Sequence, residues 1–220
     1  LFGGIGSNVF NPALTGRAVL FISFPTAMGA TWLAPKTISA VDAISSATVL
    51  SQIKADTFVV NSQSLLDLFI GNKAGCIGET SILLILISFI FLLVTKIIDW
   101  RAPIAMIFTV FICTFIAGAI SASSSQVGFE KGLLSLLTGG VMFGATFMVT
   151  DYATTPVTKP GRLIFGFGCG LITFLIRQFG GYPEGVMFSI LIMNSIAPFL
   201  NNLTVRMYGY GRKKWVQKKI

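Results

Sequence analysis

The chain has 220 residues, of which 54% are hydrophobic and only 11% are charged. A soluble domain ordinarily has about a quarter charged residues, so this chain lacks the polar side chains that a water-facing surface requires. The net charge is +8. Because the basic residues lie between and after long apolar blocks, they indicate membrane topology and not nucleic-acid binding. The composition therefore excludes an ordinary soluble protein and predicts an integral membrane protein.

Six apolar segments approach the length of about 20 residues that an α-helix needs to cross a bilayer. They are residues 13–33, 82–98, 103–120, 133–149, 163–176 and 186–200. The sequence thus predicts an all-α polytopic membrane protein in four regions: a glycine-rich start with the first transmembrane helix (1–33), a polar stretch outside the cytoplasm (34–79), five transmembrane helices (80–205) and a basic cytoplasmic tail (206–220). The chain begins with Leu1 and not with Met, so we expect it to be a piece of a longer protein.

The basic residues predict the orientation. The tail holds two basic clusters, Arg212-Lys213-Lys214 and Lys218-Lys219, and such clusters stay in the cytoplasm. Counting back through six spans places the loops 96–101 and 151–162 on the cytoplasmic side, together with Arg17. The stretch 34–79, a loop near Glu130 and residues 180–184 then lie on the opposite side, which holds most of the acidic residues.

Three glycine-rich segments, 3–12, 75–79 and 180–185, each lead into a predicted helix. Irregular backbone at membrane depth is tolerated only where protein or a polar cavity surrounds it, and such segments are common in inverted-repeat transport folds. We therefore expect Gly3, Gly78 and Gly181 to lie where the backbone bends or approaches a neighbour closely. Ordinary loops with glycine turns explain the pattern equally well.

The remaining polar residues allow two interpretations. Acids near helix ends, which often mark ion routes, are equally well explained as caps or as salt-bridge partners of Arg101, Lys159 or Arg162; they are Glu79, Asp99, Asp151 and Glu184. The three cysteines form no CxxC pair, and we interpret them as packing residues; they are Cys76, Cys113 and Cys169.

A threonine with little steric cover stands in the outer stretch, within Asp42-Ala43-Ile44-Ser45-Ser46-Ala47-Thr48. A hydroxyl becomes a nucleophile when a base removes its proton, but the chain has no histidine, which argues against serine-type catalysis. A threonine of this kind can instead be modified by another enzyme. On chemistry alone the segment is an ordinary Ser/Thr-rich loop.

The segment Asp42-x-x-Ser45-x-Ala47-Thr48 resembles the recognition sequence of flavin transferases, which join FMN to threonine through its phosphate. Over nearly its whole length the chain resembles the family of RnfD, a subunit of the Rnf complex, and NqrB, a subunit of the sodium-pumping NADH:quinone reductase. The matching segments are residues 4–13, 78–81, 150–151, 161–166 and 176–185. Ser46 stands where many family motifs have Gly, and Val49 where some have Pro.

The resemblance implies a ten-helix inverted-repeat fold and a redox-driven pump for Na⁺ or H⁺ in which electrons pass from ferredoxin to NAD. It also implies covalent FMN on Thr48, with Asp42, Ser45 and Ala47 completing the flavinylation motif, and leaves room for a non-covalent riboflavin. The implied partners are Rnf-type subunits that bind flavin, iron–sulfur clusters and NADH, a flavin transferase, and the lipid of the cell membrane. No catalytic residue, metal site or nucleic-acid partner is implied.

A second segment of the chain resembles the end of the flavinylation motif. Gly144-Ala145-Thr146 is a Gly-Ala-Thr sequence, but the position six residues before Thr146 is Gly140 and not an acid, and Thr146 lies inside a predicted span.

The alternative function is a solute channel or transporter of inverted-repeat architecture without a redox role. The flavinylation motif distinguishes this alternative from the redox-driven pump.

The topology predicts that the stretch 34–79 is extracytoplasmic and the tail cytoplasmic. A cysteine introduced at Lys54 should react with an impermeant thiol reagent in intact cells, and a cysteine introduced at Lys214 should react only after the membrane is opened. The reverse labelling pattern would contradict the topology.

Overall fold

The computed structural model describes residues 8–29, 32–33, 45–46, 49–54, 62–73, 75–76, 78–182 and 184–207. The described residues form helices and one two-stranded antiparallel ladder, in which β1 (Trp32–Leu33) pairs with β2 (Ser45–Ser46). The helices are α1 (Pro12–Ser23), α2 (Pro25–Gly29), α3 (Val49–Lys54), α4 (Ser62–Ile70), α5 (Ile82–Val94), α6 (Arg101–Ala122), α7 (Ser125–Leu137), α8 (Val141–Phe143), a π-helix (Gly144–Met148), α9 (Lys159–Phe179) and α10 (Val186–Met207).

Three helices of the described part are long and apolar enough to cross a membrane: α6, α9 and the Val186–Thr204 part of α10. A fourth span is formed if α7 and the bent continuation through α8 and the π-helix are taken together. The prediction of an all-α multi-pass membrane protein is therefore confirmed. Three of the six predicted spans are long unbroken helices, and the other three differ from the prediction.

The first and second predicted spans are shorter than the sequence suggested. α1 ends at Ser23, because Pro25 disfavours the helical conformation of Phe24 before it, and only the five residues of α2 follow. α5 ends at Val94 and gives way to a turn in which Lys96 has a positive φ of 57°. Helices of 12 and 13 residues measure about 20 Å, less than the hydrocarbon thickness of about 30 Å.

The fourth predicted span is broken. α7 begins already at Ser125, so Glu130 lies in a helix and not in the predicted loop. The helix stops at Leu137, and the chain turns by 62° before it continues as α8 and the π-helix. Gly139 makes this turn with a φ of +65°, a conformation that favours glycine.

α6 lies at the centre of the fold, between α7 and α9. One face of α6 is buried, and every fourth residue on the other face is an exposed apolar side chain, namely Ile104, Phe108, Ile112, Ile116 and Ile120. This stripe is typical of a helix that faces lipid on one side and protein on the other. Two glycines of α9, Gly166 and Gly170, lie against the α6 backbone near Ala102 and Met106. Small residues allow transmembrane helices to approach this closely.

The glycines expected at bends give a mixed result. Gly78 has a φ of +94°, as expected for a position that bends the backbone. Gly181 has open space around it and no positive φ, so the expectation is wrong there. Gly3 lies outside the described residues.

The contact between α9 and α6 predicts that Gly166→Ala destabilises the protein. A Cβ at Gly166 would overlap the carbonyl oxygen of Ala102, and overpacking of this kind costs about 1–3 kcal/mol. Gly16→Ala in α1 is the matched control, because a Cβ there meets nothing within 4 Å and alanine gains about 1 kcal/mol of helix propensity. The melting temperature of the purified protein should fall for Gly166→Ala and stay level or rise for Gly16→Ala. Equal melting temperatures would show that the α6–α9 contact tolerates a methyl group.

Candidate functional site

The predicted flavinylation motif lies mostly outside the described residues. This applies to Asp42, Ala47 and Thr48, whereas Ser45 belongs to β2 and pairs with Leu33. α3 begins at Val49, the residue that follows Thr48. The helix that follows the motif can therefore be located, and it leads to a polar cavity.

Val49 and Leu50 of α3 line a cavity of about 70 Å³ between α1, the loop before α5, the break after α7 and the start of α10. A space of this size holds a few water molecules. Its wall includes four charged side chains, those of Arg17, Lys73, Glu79 and Glu184. So many charges around one small space in a membrane protein make this cavity the candidate functional site.

Two cations bind the carbonyl end of α7. Lys73 Nζ donates to the carbonyl oxygen of Leu137 at 2.5 Å, and Arg177 of α9 donates to the carbonyls of Ser135 at 2.7 Å and Thr138 at 3.3 Å. The last carbonyls of a helix have no donors within the helix, and they carry a partial negative charge that favours cations. Burial lowers the pKa of Lys73 to about 8, with the cation Arg177 adding to the effect and Glu79 opposing it.

A carboxylate binds the other side of the break. Glu184 Oε2 accepts from the N–H of Gly140, the residue before α8, at 2.8 Å, and its Oε1 lies 3.3 Å from Arg177 Nη2. Burial alone would raise the pKa of Glu184, but Arg177 and the N–H groups of Gly140 and Val186 outweigh it and lower that pKa. Glu184 is therefore an ionised side chain that joins the broken helix to α9.

The second carboxylate, Glu79, has the opposite electrostatic environment. A Cβ placed on Gly140 would lie 3.1 Å from Glu79 Oε2 and 3.8 Å from Glu184 Oε2, so the two acids meet at this glycine. Burial raises the pKa of Glu79, and the negative charge of Glu184 adds to the effect, against the N–H of Cys76 and the charges of Arg17 and Lys73. Of the two carboxyl groups, Glu79 is therefore the one that takes up a proton more readily.

Arg17 and Cys76 complete the wall. Arg17 Nη2 donates to the Cys76 sulfur at 3.6 Å, which places Arg17 with the loop before α5 and not with the cytoplasmic loops to which the charge pattern assigned it. Burial, followed by the charge of Glu79, raises the pKa of the Cys76 thiol to about 11, so it is neutral. Cys76 therefore lines a polar cavity, whereas Cys169 is a buried packing residue as predicted.

Two acids away from the cavity, Asp99 and Asp151, form ion pairs or hydrogen bonds that hold the structure together. Asp99 lies 2.9 Å from Arg101 and 2.8 Å from Arg162, which confirms the salt-bridge interpretation and brings the loops 96–101 and 151–162 together. Asp151 accepts from Asn11 Nδ2 at 3.2 Å and from Thr154. Within the described part of the chain, no three Cys, Asp or Glu side chains lie close enough to hold a metal ion.

The sequence interpretation did not group Lys73 and Arg177 with the two glutamates, because their common partner is backbone that a helix break exposes. The available signal was Thr138-Gly139-Gly140 inside an apolar segment. Thr146 is buried in the π-helix and donates to the Met142 carbonyl, in agreement with its exclusion as a modification site.

The opposite pKa shifts of the two glutamates predict different effects of the same substitution. Glu184→Gln removes the charge that Arg177 requires and should cost up to about 3 kcal/mol. Glu79→Gln replaces a carboxyl group whose pKa is raised by burial and by the charge of Glu184, so a neutral side chain should be tolerated better there and the cost should be smaller than for Glu184→Gln. The measurement is the melting temperature of the two purified variants at pH 7.

The pH dependence provides the control. Stabilisation by Glu184, whose pKa is lowered on folding, is complete above its ordinary value of 4.5 and is lost as the pH falls through the folded-state pKa. The deficit of Glu184→Gln should therefore shrink in acid. Glu79 has a raised pKa, so its contribution is lost as the pH rises, and Glu79→Gln should gain relative stability at alkaline pH. Equal effects of the two variants at all pH values would contradict the assignment.

Comparisons with known proteins agree with the resemblance. The model of the NQR2, RnfD, RnfE family matches residues 1–209. The chain is 42% identical over 216 residues to a subunit of the Na⁺-translocating ferredoxin:NAD⁺ oxidoreductase complex of Acetobacterium woodii, covering 97% of this chain and 63% of that protein. It is 40% identical over 209 residues to a subunit of the proton-translocating ferredoxin:NAD⁺ oxidoreductase complex of Clostridium ljungdahlii, covering 92% of this chain and 61% of that protein.

A third relative comes from the quinone-reducing complexes. The chain is 36% identical over 211 residues to a subunit of the Na⁺-translocating NADH-quinone reductase of Chromohalobacter salexigens, covering 94% of this chain and 50% of that protein. The chain thus spans less than two thirds of the length of these relatives. With a family match over nearly its whole length, this chain belongs to the NQR2, RnfD, RnfE family.

Proposed function

We propose that this chain is part of the flavin-bearing membrane subunit of a redox-driven ion pump, with FMN joined to Thr48 through a phosphoester. Electrons pass from ferredoxin to NAD through partner subunits, and Na⁺ or H⁺ moves out of the cytoplasm. The relatives named above are subunits of Na⁺- or proton-translocating redox enzymes, which supports this class of function. The observation that carries the proposal is the charged cavity beside α3, the helix that follows Thr48.

The charges at the cavity fit a phosphate group. Two cations, Arg17 and Lys73, and two carboxylates, Glu79 and Glu184, line the cavity, and Arg177, outside this lining, pairs with Glu184 at 3.3 Å. The five groups together carry one positive charge in excess when both acids are ionised. A phosphate esterified on both sides carries one negative charge. Arg177 also retains a buried donor, Nε, that has no partner among the described residues. Buried cations require such compensation, and an anion is their natural partner.

The surroundings also fit a flavin ring at the mouth of the cavity. The volume of about 70 Å³ excludes a three-ring system from the interior, so the ring must lie outside it. Phe21 and Phe188 line the cavity and, with Tyr182, form an aromatic cluster with ring centroids 5.3–6.0 Å apart. Aromatic faces are suitable surfaces for another planar ring.

The residues of the chain position the flavin and compensate the charge of its phosphate. Bound FMN supplies one- and two-electron chemistry. Arg17 and Lys73 would hold its phosphate, and the rigid anchoring of Lys73 to Leu137 fixes that charge in space. Glu79, with its raised pKa, can hold or release a proton close to the same cations. The redox state of the flavin and the protonation of Glu79 would then both depend on the same cations, Arg17 and Lys73.

The remaining features of the proposal follow the family. The stretch that carries Thr48 lies outside the cytoplasm, where a flavin transferase attaches FMN, and other subunits that bind flavin, iron–sulfur clusters and NADH complete the complex. A solute transporter without a redox role has no support among the three relatives described, since each is named as part of an oxidoreductase or a reductase.

Thr48→Val should remove covalent flavin from the purified subunit, because valine is close to threonine in shape but has no hydroxyl to esterify. Flavin fluorescence of the subunit on a denaturing gel is the measurement. Thr48→Ser should be partly flavinylated, since it keeps the oxygen, and Asp42→Ala should reduce loading without removing the attachment atom. Electron transfer from ferredoxin to NAD should fall in proportion to the flavin lost.

Thr146→Val is the matched control, because Thr146 ends the second Gly-Ala-Thr sequence but is buried. It should keep full flavin fluorescence. If Thr48→Val retained bound flavin while Thr146→Val lost it, the attachment site would be wrong. If both variants and the unmodified protein lacked flavin, the proposal of a covalent flavoprotein would fail.

A further inference from the structure

We propose that Asn194, in the middle of α10, forms an oxygen-lined site through which the transported cation crosses the interior of the protein. This inference rests on the proposed function and adds a site to it. Its basis is a buried side chain whose polar atoms, among the described residues, have no hydrogen-bond partner within the protein.

Asn194 is fully buried, with 0% of its surface exposed. Neither its Oδ1 nor its Nδ2 has a hydrogen-bond partner in the described part of the chain. The other buried polar residues of α10 behave differently: Ser189 accepts from Thr173 at 2.8 Å, and Thr204 lies 2.6 Å from the Thr158 hydroxyl. A buried amide without a partner is costly, because neither polar atom regains the hydrogen bonds that it makes in water.

The backbone at this position has also lost a hydrogen bond. Pro198 lies inside α10, and proline has no N–H to donate to the carbonyl of Asn194 four residues earlier. One residue therefore offers two oxygens, the side-chain Oδ1 and the backbone carbonyl, and neither has its ordinary partner. Carbonyl and amide oxygens are the groups that replace the water shell of a small cation inside membrane proteins.

The position of Asn194 is central to the span. At about 1.5 Å per residue, it lies roughly 12 Å from Val186, which lines the charged cavity, and roughly 15 Å from Thr204 near the other end. Successive helical residues are about 100° apart, so Asn194 points about 140° away from Ser189 and its α9 partner. On sides other than the one facing α9, α10 packs against α1 and the π-helix. From the angle between Asn194 and Ser189 we infer that Asn194 lies on the side of α10 away from the hydroxyl contact of Ser189 with α9.

The π-helix adds a second irregular backbone beside α10. Val149 N–H donates to the Gly144 carbonyl five residues earlier, at 2.9 Å, and such wide turns frequently occur at functional sites. A helix that contains a proline thus contacts a π-helix. The site suits a dehydrated Na⁺ bound by the two oxygens, or a water molecule that bonds to the amide and passes a proton.

The test uses the complete complex reconstituted in liposomes and supplied with reduced ferredoxin and NAD. Electron transfer, uptake of radioactive Na⁺ and internal acidification are measured together. Asn194→Leu keeps the side-chain size and removes its polar atoms. We expect the number of ions moved per electron to fall at least about tenfold. Losing one polar contact to a buried cation raises its barrier by enough to slow its passage by more than this factor. Electron transfer itself should continue.

A second variant guards against failed assembly. Pro198 is exposed, and Pro198→Ala restores an N–H donor for the Asn194 carbonyl while leaving the side chain in place. It should lower the ions moved per electron to a smaller extent than Asn194→Leu. Ser189→Ala is the control: it removes a buried but partnered hydroxyl of the same helix and should leave the ion-to-electron ratio unchanged.

Each result has a defined meaning. Loss of Na⁺ uptake alone identifies Na⁺ as the cation at this site, and loss of acidification alone identifies a proton carried by water. Wild-type ratios in every assembled variant, or an equal loss in Ser189→Ala, would overturn the assignment of Asn194. If the unmodified complex transferred electrons without moving any ion, the proposed function itself would fail, whatever the variants did.

Discussion

The break between α7 and α8 is the feature on which the rest of the site depends. A helix that stops inside a membrane protein leaves carbonyl and N–H groups without helical partners and away from bulk water, so other groups of the protein satisfy them. Here Lys73 and Arg177 take the carbonyl end, and Glu184 takes the N–H of Gly140. The signs match the partial charges of the two helix ends, and two of these three side chains, Lys73 and Glu184, also line the cavity.

This arrangement explains why two glutamates a few ångströms apart differ so much. Glu184 pairs with Arg177 and accepts a hydrogen bond from the backbone N–H of Gly140, so its negative charge stabilises the fold. Glu79 accepts a hydrogen bond from the N–H of Cys76 at 3.1 Å, and the negative charge of Glu184 acts on it. A fixed charge beside a titratable one is a general way to place a proton-binding group at a chosen position, and here the fixed charge is a consequence of the helix break.

The sequence predicted long unbroken elements well and interrupted ones poorly. α6, α9 and α10 follow from apolar runs of spanning length, because hydrophobicity alone determines such helices. The first and fourth spans failed at Pro25 and at Gly139, where one residue overrides an apolar pattern. The cavity could not be predicted, since the partners of Arg177 lie 39 and 42 residues away on backbone that only the break makes available. The family motifs, in contrast, were specific enough to identify the family from the sequence.

The helices differ in how firmly they are held. α9 is fixed at both ends by ion pairs, Arg162 with Asp99 and Arg177 with Glu184, and along its length by the close contact of Gly166 with α6. α10 has instead a proline and an asparagine without a partner among the described residues, and its neighbour is a π-helix. α10 lacks one backbone hydrogen bond at Pro198, and the π-helix has the wide turn of an i→i+5 bond, so neither is a regular α-helix throughout. Under the proposed function a pump requires a movable contact between fixed parts, and among the described elements the interface of α10 with the π-helix has the irregular backbone that suits this role.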